Sequence, residues 1–194
     1  MLVEGGEGNA RAEPLRAARR ALLQTGGSTM AEATIVADHL VEANLVGHDS
    51  HGVGMLPHYV RNLRDGKLHP NRHASFERRA APLRWRTATW ATVRSSHESQ
   101  WQLLIRFDPA RFVDLAWFRA VIEALVRYVK EAPPADPALP VLLPGEPERI
   151  ARARRLEEGV WIDATTWREI EGAADGLGLS AAPFAAIARG SRTT

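Results

Sequence analysis

Four consecutive polar residues, His48-Asp49-Ser50-His51, open the stretch GHDSHGVGMLPHYVRNLRDGKLHPN at residues 47–71. Imidazole is the side chain best matched to proton transfer near neutral pH, and either Ser50 or Asp49 could orient the ring of His51. Glycines at 47, 52 and 54 open backbone conformations closed to other residues, so the polar cluster can be held tightly and still face solvent. Two cations, Arg61 and Arg64, follow on the same short element. An imidazole beside fixed positive charge suits a reaction on a small carboxylate, with Arg61 and Arg64 as its candidate partners. The competing reading is a histidine that merely fills a turn after a helix.

Other chemistries find less support. A metal site would draw on His48, Asp49, His51 and His58, but His-x-x-His on a turn matches established zinc spacings poorly, so no metal is expected. A Ser-His-Asp hydrolase assembles its triad from separate elements, whereas these residues are adjacent and no GxSxG elbow is present. Neither GxGxxG nor GxxxxGK[ST] occurs, which removes the usual dinucleotide turn and the P-loop. The turn Pro144-Gly145-Glu146-Pro147 either presents backbone N–H groups to an anion or simply joins a strand to a helix.

The elements that must position these groups are read from hydrophobic period and end signals. Residues 1–12 carry no pattern and are expected to be a flexible tail. Leu15, Ala18 and Leu22 mark a helix over 14–24 that ends at Gly26-Gly27. Thr29 with Glu32 has the capping-box form, and Ala33, Val36, Ala37 and Leu40 line a second helix reaching Val46. Leu56, Val60 and Leu63 define a third, with Pro57 in its first turn and Gly66 as its stop. Residues 13–75 thus form an N-terminal helical region bearing the histidine motif.

Residues 76–100 lose any sustained period and are expected to be an irregular junction, with 83–93 strand-forming and 95–100 a loop. Order returns over 101–180, an α/β region. Residues 101–107 suit a buried strand, and Asp114 caps a helix striped by Phe118, Val121, Ile122, Leu125 and Val129. Residues 133–140 are a proline-stiffened connector and 141–143 a short strand. A helix over 147–157, a strand at 160–162 and a last helix capped by Thr166 with Glu169 complete the region, leaving 181–194 as a tail.

Composition sets outer bounds. The 194 residues are 45% hydrophobic and 25% charged, ordinary for a soluble globular protein. No apolar run approaches the roughly 20 residues of a membrane span, and no charged-then-apolar leader opens the chain, so a cytoplasmic home and no membrane partner are expected. Cysteine is absent, which excludes disulfides and thiolate metal sites. Arginine supplies 23 of the 25 basic residues, yet the densest run, 149–155, is bracketed by Glu146, Glu148, Glu157 and Glu158. That mixture argues against a nucleic-acid groove.

Two stretches carry a more specific signal. HLVEANLVGHDSHGVGMLPHYVRNLRDGKLHPN resembles the N-terminal region of the malate/L-lactate dehydrogenase family of NAD(P)-dependent 2-oxoacid oxidoreductases, and LPGEPERIARARRLEEGVWIDATTWREIEGAADGLGL resembles its C-terminal end. The resemblance implies a non-Rossmann α+β fold, here an N-terminal helical bundle followed by a small sheet with packed helices. It implies His51 as the acid/base acting on the carbonyl oxygen, with Ser50 setting the imidazole. It places Gly145, Glu146 and Pro147 where relatives contact NAD or NADP, and makes a small 2-hydroxy/2-oxo acid the substrate. A homo-oligomer is expected as well. Family members are much longer, and the large central segment that carries most of their dinucleotide-binding sheet is missing between the two matches. The expected activity is therefore an impaired dehydrogenase. The alternative is a truncated, non-catalytic member that acts only through protein association.

Overall fold

A computed structural model describes residues 8–72 and 108–180, together with the backbone of three strands between them. The chain divides into two compact units. Unit one joins Met1–His73 to Glu148–Thr194, and unit two is Ala74–Pro147. This differs from the division expected at residue 101, because the last helix and strand fold with the N-terminal helices and not with 101–147.

Unit one is built on helices α1 (Ala12–Thr25) and α2 (Met30–Leu45). Leu15, Ala18 and Leu22 of α1 meet Ala33, Ala37, Leu40, Val41 and Leu45 of α2 in the core, on the faces their spacing marks. Fully burying one such leucine is worth about 1.5–3 kcal/mol. Arg19, also in α1, is buried with them, its guanidinium 5.7 Å from the centroid of the Trp167 ring, and burial pushes its pKa down to about 9.

The expected capping box at the start of α2 forms only in part. Thr29 Oγ1 accepts from the Glu32 N–H, but the Thr29 N–H donates to Asn71 Oδ1 while the Glu32 carboxylate accepts from the Asn71 N–H. Asn71 holds this position at a φ of 62°, the left-handed region that asparagine tolerates better than most residues, and so ties the chain after the third helix back to the start of the second.

Helix α3 (Leu56–Arg64) buries Leu56, Pro57 and Val60, and Gly66 follows its end at a φ of 66°. In unit two, β2 (Phe76–Glu77), β3 (Ala88–Ser95) and β4 (Glu98–Ile105) form an antiparallel sheet in the order β2-β3-β4. The pairing of β3 with β4 runs from Ala88↔Ile105 to Ser95↔Glu98. β3 falls largely within 83–93, expected to be strand-forming, and β4 covers most of the strand expected at 101–107 but begins at Glu98, inside the loop expected at 95–100. Cross-strand pairing here overrides a sequence with little alternation. Helix α4 (Leu115–Lys130) starts at Asp114, whose carboxylate accepts from the Trp117 N–H. None of its side chains is buried, contrary to the expectation raised by its apolar stripe. Residues 141–143 make no strand. Leu143 N–H and Lys130 Nζ both donate to Glu146 Oε2, and Lys130 also donates to the Val141 carbonyl, which holds this turn without sheet pairing.

Helix α5 (Glu146–Glu158) returns the chain to unit one and leads into β5 (Val160–Ile162) and α6 (Ala164–Gly176). β5 pairs antiparallel with β1 (Gly8–Ala10), register Gly8↔Ile162 to Ala10↔Val160. Ala10, Val160 and Ile162 are buried while Trp161 faces out. The end of the expected tail is thus a core strand, unreadable because three residues carry no period and its partner lies at the other end of the chain. α6 is capped by Asp163, whose Oδ1 accepts from the N–H groups of Thr165 and Thr166, so the cap lies three residues before the expected Thr166. Trp167, Ile170, Ala173 and Ala174 of α6 complete the core beside α3. Residues 181–194, expected as a tail, lie outside the described residues. No helix among the described residues is long and apolar enough to cross a membrane.

Candidate functional site

The end of α2 delivers the histidine turn. Gly47 takes a φ of 95°, its N–H donates to the Asn44 carbonyl and the His48 N–H to the Ala43 carbonyl, the paired closure of a Schellman ending. A single 3-10 turn, Asp49–His51, follows, then a second, Val53–Met55, and then α3. No residue of the first turn is buried.

Of the three glycines that bound this stretch, Gly47 alone needs a left-handed backbone. Gly52 sits at a φ of −90°, open to any residue, but a Cβ there would fall 2.1 Å from Asn44 Oδ1. Its role is close approach, not unusual torsion. Asn44 is 3% exposed and spans the turn, its Nδ2 donating to Asp49 Oδ1 (2.7 Å) and its Oδ1 accepting from the Val53 N–H (2.8 Å).

The two groups that could orient His51 have separate tasks. Ser50 Oγ lies 3.0 Å from His51 Nδ1, within hydrogen-bond reach, and the ring is exposed. Asp49 instead faces Arg155 of α5, whose Nη1 and Nη2 donate to its Oδ1 and Oδ2 at 2.6 and 2.9 Å. Nη1 also donates to the Asn44 carbonyl. Partial burial alone would raise the Asp49 pKa, but the hydrogen bonds from Arg155 and Asn44, with the Arg155 charge, outweigh it and hold the carboxyl below its ordinary value. Neither Arg155 nor Asn44 stands out in the sequence. Arg155 is one of several arginines in a mixed run, 106 positions from its partner, and Asn44 occupies a helix face otherwise read as apolar.

His58 pairs with Asn62 through Nε2, a local i,i+4 contact, and His48 Nε2 lies 3.8 Å from Glu148 Oε1. Among the described residues no group of three or more potential metal ligands is gathered. Arg61 and Arg64 lie exposed in the last turn of α3. A Cβ on Gly176 would stand 3.3 Å from Arg64 Nη1, while one on Gly54 would touch Thr166, so α3 and α6 run alongside each other in the same direction. Arg64 therefore sits by the C-terminal end of α6, where helix carbonyls favour a cation. It is about 13 Å along α3 from the end that follows His51. Among the described residues, concavities lie elsewhere. One is an apolar cleft lined by Leu22, Tyr59, Leu63 and Leu177, and another a groove between α1 and α2 in which Arg16 pairs with Glu13, Asp38 and Glu42.

In unit two, Gly145 takes a φ of 86° at the start of α5, with the Glu146 N–H donating to the Leu143 carbonyl. A left-handed glycine carries no side chain at this turn, which leaves room for the close approach of a flat ring, whereas Glu146, its N–H already engaged, and Pro147, which has none, offer an anion no free donor.

A sequence model of the malate/L-lactate dehydrogenase family matches in two pieces, residues 10–91 and 83–171. Hydroxycarboxylate dehydrogenase B from Escherichia coli (strain K12) is 48% identical over 69 residues, which are 36% of this chain and 19% of that protein. The protein of the same name from E. coli O157:H7 gives the same figures. The match therefore spans about a fifth of the length of these curated relatives. Among solved structures, a putative malate/lactate dehydrogenase from E. coli superimposes with a TM-score of 0.73 at 18% identity, covering 92% of this chain and 98% of the other. Sulfolactate dehydrogenase from Methanocaldococcus jannaschii gives 0.67 at 12% identity, covering 90% and 99%. At these identities the likeness speaks for the fold.

Proposed function

The chain belongs to the malate/L-lactate dehydrogenase family, and on that premise we propose that it is an NAD(P)-dependent oxidoreductase of small 2-hydroxy/2-oxo acids, with His51 as the acid/base. The observation that carries this reading is the exposed His51 ring, whose Nδ1 is within 3.0 Å of Ser50 Oγ, on a turn inside the matched region.

In the reductive direction, protonated His51 gives its Nε2 proton to the carbonyl oxygen of the 2-oxo acid as that carbon is reduced. Ser50, at Nδ1, keeps the ring turned so that Nε2 is the group left for substrate. The neutral ring then recovers a proton from solvent, to which it is exposed. A nicotinamide cofactor, NAD or NADP in its reduced form, would supply the hydride when bound. Gly145, Glu146 and Pro147 are the residues proposed to contact it, in a non-Rossmann site that uses a backbone turn and no GxGxxG loop. Arg61 and Arg64 were the expected carboxylate partners. They lie exposed in the last turn of α3 and are proposed to receive the substrate carboxylate.

We further propose that turnover is impaired. An acid group contributes about 10²–10⁴ to a rate, while holding the two reactants in contact geometry can contribute more. The family model matches in two pieces that meet at residues 83–91, and the curated match covers 19% of those relatives. The two-piece match fits a chain that keeps the acid without the whole cofactor cradle, while the superposition over 98% and 99% of the two solved relatives weighs against a large loss. A homo-oligomer is part of the proposal, supported by the apolar surface that Val121, Ile122 and Leu125 expose, and a cytoplasmic home is proposed with it. That same surface favours the second reading, a non-catalytic member acting through association.

Titrating the full chain with NADH and NADPH, followed by fluorescence of its six tryptophans, and assaying turnover of pyruvate- and malate-type acids separates these readings. Weak binding with slow turnover is expected. Saturable micromolar binding with rapid turnover would remove the impairment. Self-association without dinucleotide binding or turnover would leave the second reading in place.

A further inference from the structure

We propose that Arg155 and Asn44 are positioning residues for His51, acting through the turn that carries it. This rests on the reading of His51 as the acid/base. The Asp49–His51 turn buries no side chain, so apolar packing of its own residues does not fix it. What fixes it is polar, and it grips on both sides of the histidine. Two residues before His51, Asp49 is held by both guanidinium nitrogens of Arg155 and by Asn44 Nδ2. Two residues after it, the Val53 N–H is held by Asn44 Oδ1. A single buried amide thus bridges the two flanks, and Gly52 between them lacks the Cβ that would block it.

Arg155 makes the bridge rigid. Its side chain is 18% exposed, and its third bond, to the Asn44 carbonyl, joins the fork to the end of α2. Parallel N–H···O bonds to a carboxylate define direction as well as distance, which a lysine ammonium cannot reproduce. α5 is itself seated against this corner, since a Cβ on Gly47 would stand 3.6 Å from Ala151 Cβ. The C-terminal segment of unit one therefore sets the geometry of a motif found near the start of the chain. With the turn fixed, Ser50 and His51 stay within reach of each other, and Nε2 keeps one direction.

The test uses Arg155→Ala, Arg155→Lys and Asp49→Asn in the full chain. The readouts are thermal unfolding, the ring ¹⁵N shifts of His51 (assigned by their loss in His51→Ala) and steady-state kinetics. Freeing the turn should move the ratio of the two His51 tautomers by about threefold to tenfold, the change that one net hydrogen bond commands. It should lower kcat about tenfold to a hundredfold with KM within about twofold, as expected for a misplaced catalytic group. Arg155→Lys should recover only part of either effect. Should Arg155→Ala fail to fold, the lysine and asparagine variants carry the same readouts. A wild-type tautomer ratio in the folded variants would overturn the positioning role. The two readings fail separately, because a His51→Ala chain with full activity would remove the acid role while the tautomer ratio still tests the clamp.

Discussion

Helices α1 and α4 carry comparably clear apolar stripes and meet opposite fates. Leu15, Ala18 and Leu22 of α1 are at most 1% exposed, while Val121, Ile122 and Leu125 of α4 are 44%, 44% and 55% exposed. Periodicity tells which face of a helix seeks cover, but not whether the chain provides any. In unit one the cover comes from both ends of the sequence, α2 against α1, α6 against α3 and β5 against β1. In unit two no side chain of α4 is buried.

The comparison can be broken or sharpened by substitution. The largest effect is expected at Trp167, 3% exposed in the core of unit one and stacked by Arg19. Trp167→Ala should destabilise the chain by about 3–5 kcal/mol in denaturant unfolding. Next comes Gly52→Ala, whose methyl would collide with the Asn44 amide. About 1–3 kcal/mol is expected from the forced shift, with loss of any reductase activity. A smaller effect depends on pH. Asp49 has a folded pKa below its ordinary 3.8, so it contributes stability above that value and loses it as pH falls through the lower folded one. Asp49→Asn should flatten the acid limb of the stability curve by under about 1 kcal/mol, since the carboxylate is half exposed and solvent-screened. The smallest change belongs to unit two, where Leu125→Ala in the dilute chain should move stability by no more than about 0.5 kcal/mol. A cost there near that of Trp167 would mean that α4 is covered in solution.

What could be read beforehand follows the range of the forces involved. Helix ends set by neighbouring residues were legible, as at Thr29, Asp114 and Gly66. The cap of α6 was misplaced to Thr166 because Asp163 offers the same local chemistry three residues earlier. β1 was missed because its only signal is a partner at the far end of the chain. For the candidate site, residue type and adjacency proposed His51 and Ser50, whose side chains lie within hydrogen-bond reach. Arg155 was not found, since a fork on a carboxylate 106 positions away leaves no local trace. Asn44 was hidden by its helix, where a buried amide reads as a break in an apolar face until its two partners are known.

The most direct measurement compares the full chain with His51→Ala in NADH- and NADPH-dependent reduction of pyruvate- and malate-type acids, with unfolding midpoints recorded alongside. The expected result is a rate reduced by at least about 10²-fold, the share an acid group supplies, with the midpoint unchanged. Equal rates from the two folded chains would contradict the assignment of His51 as the proton donor.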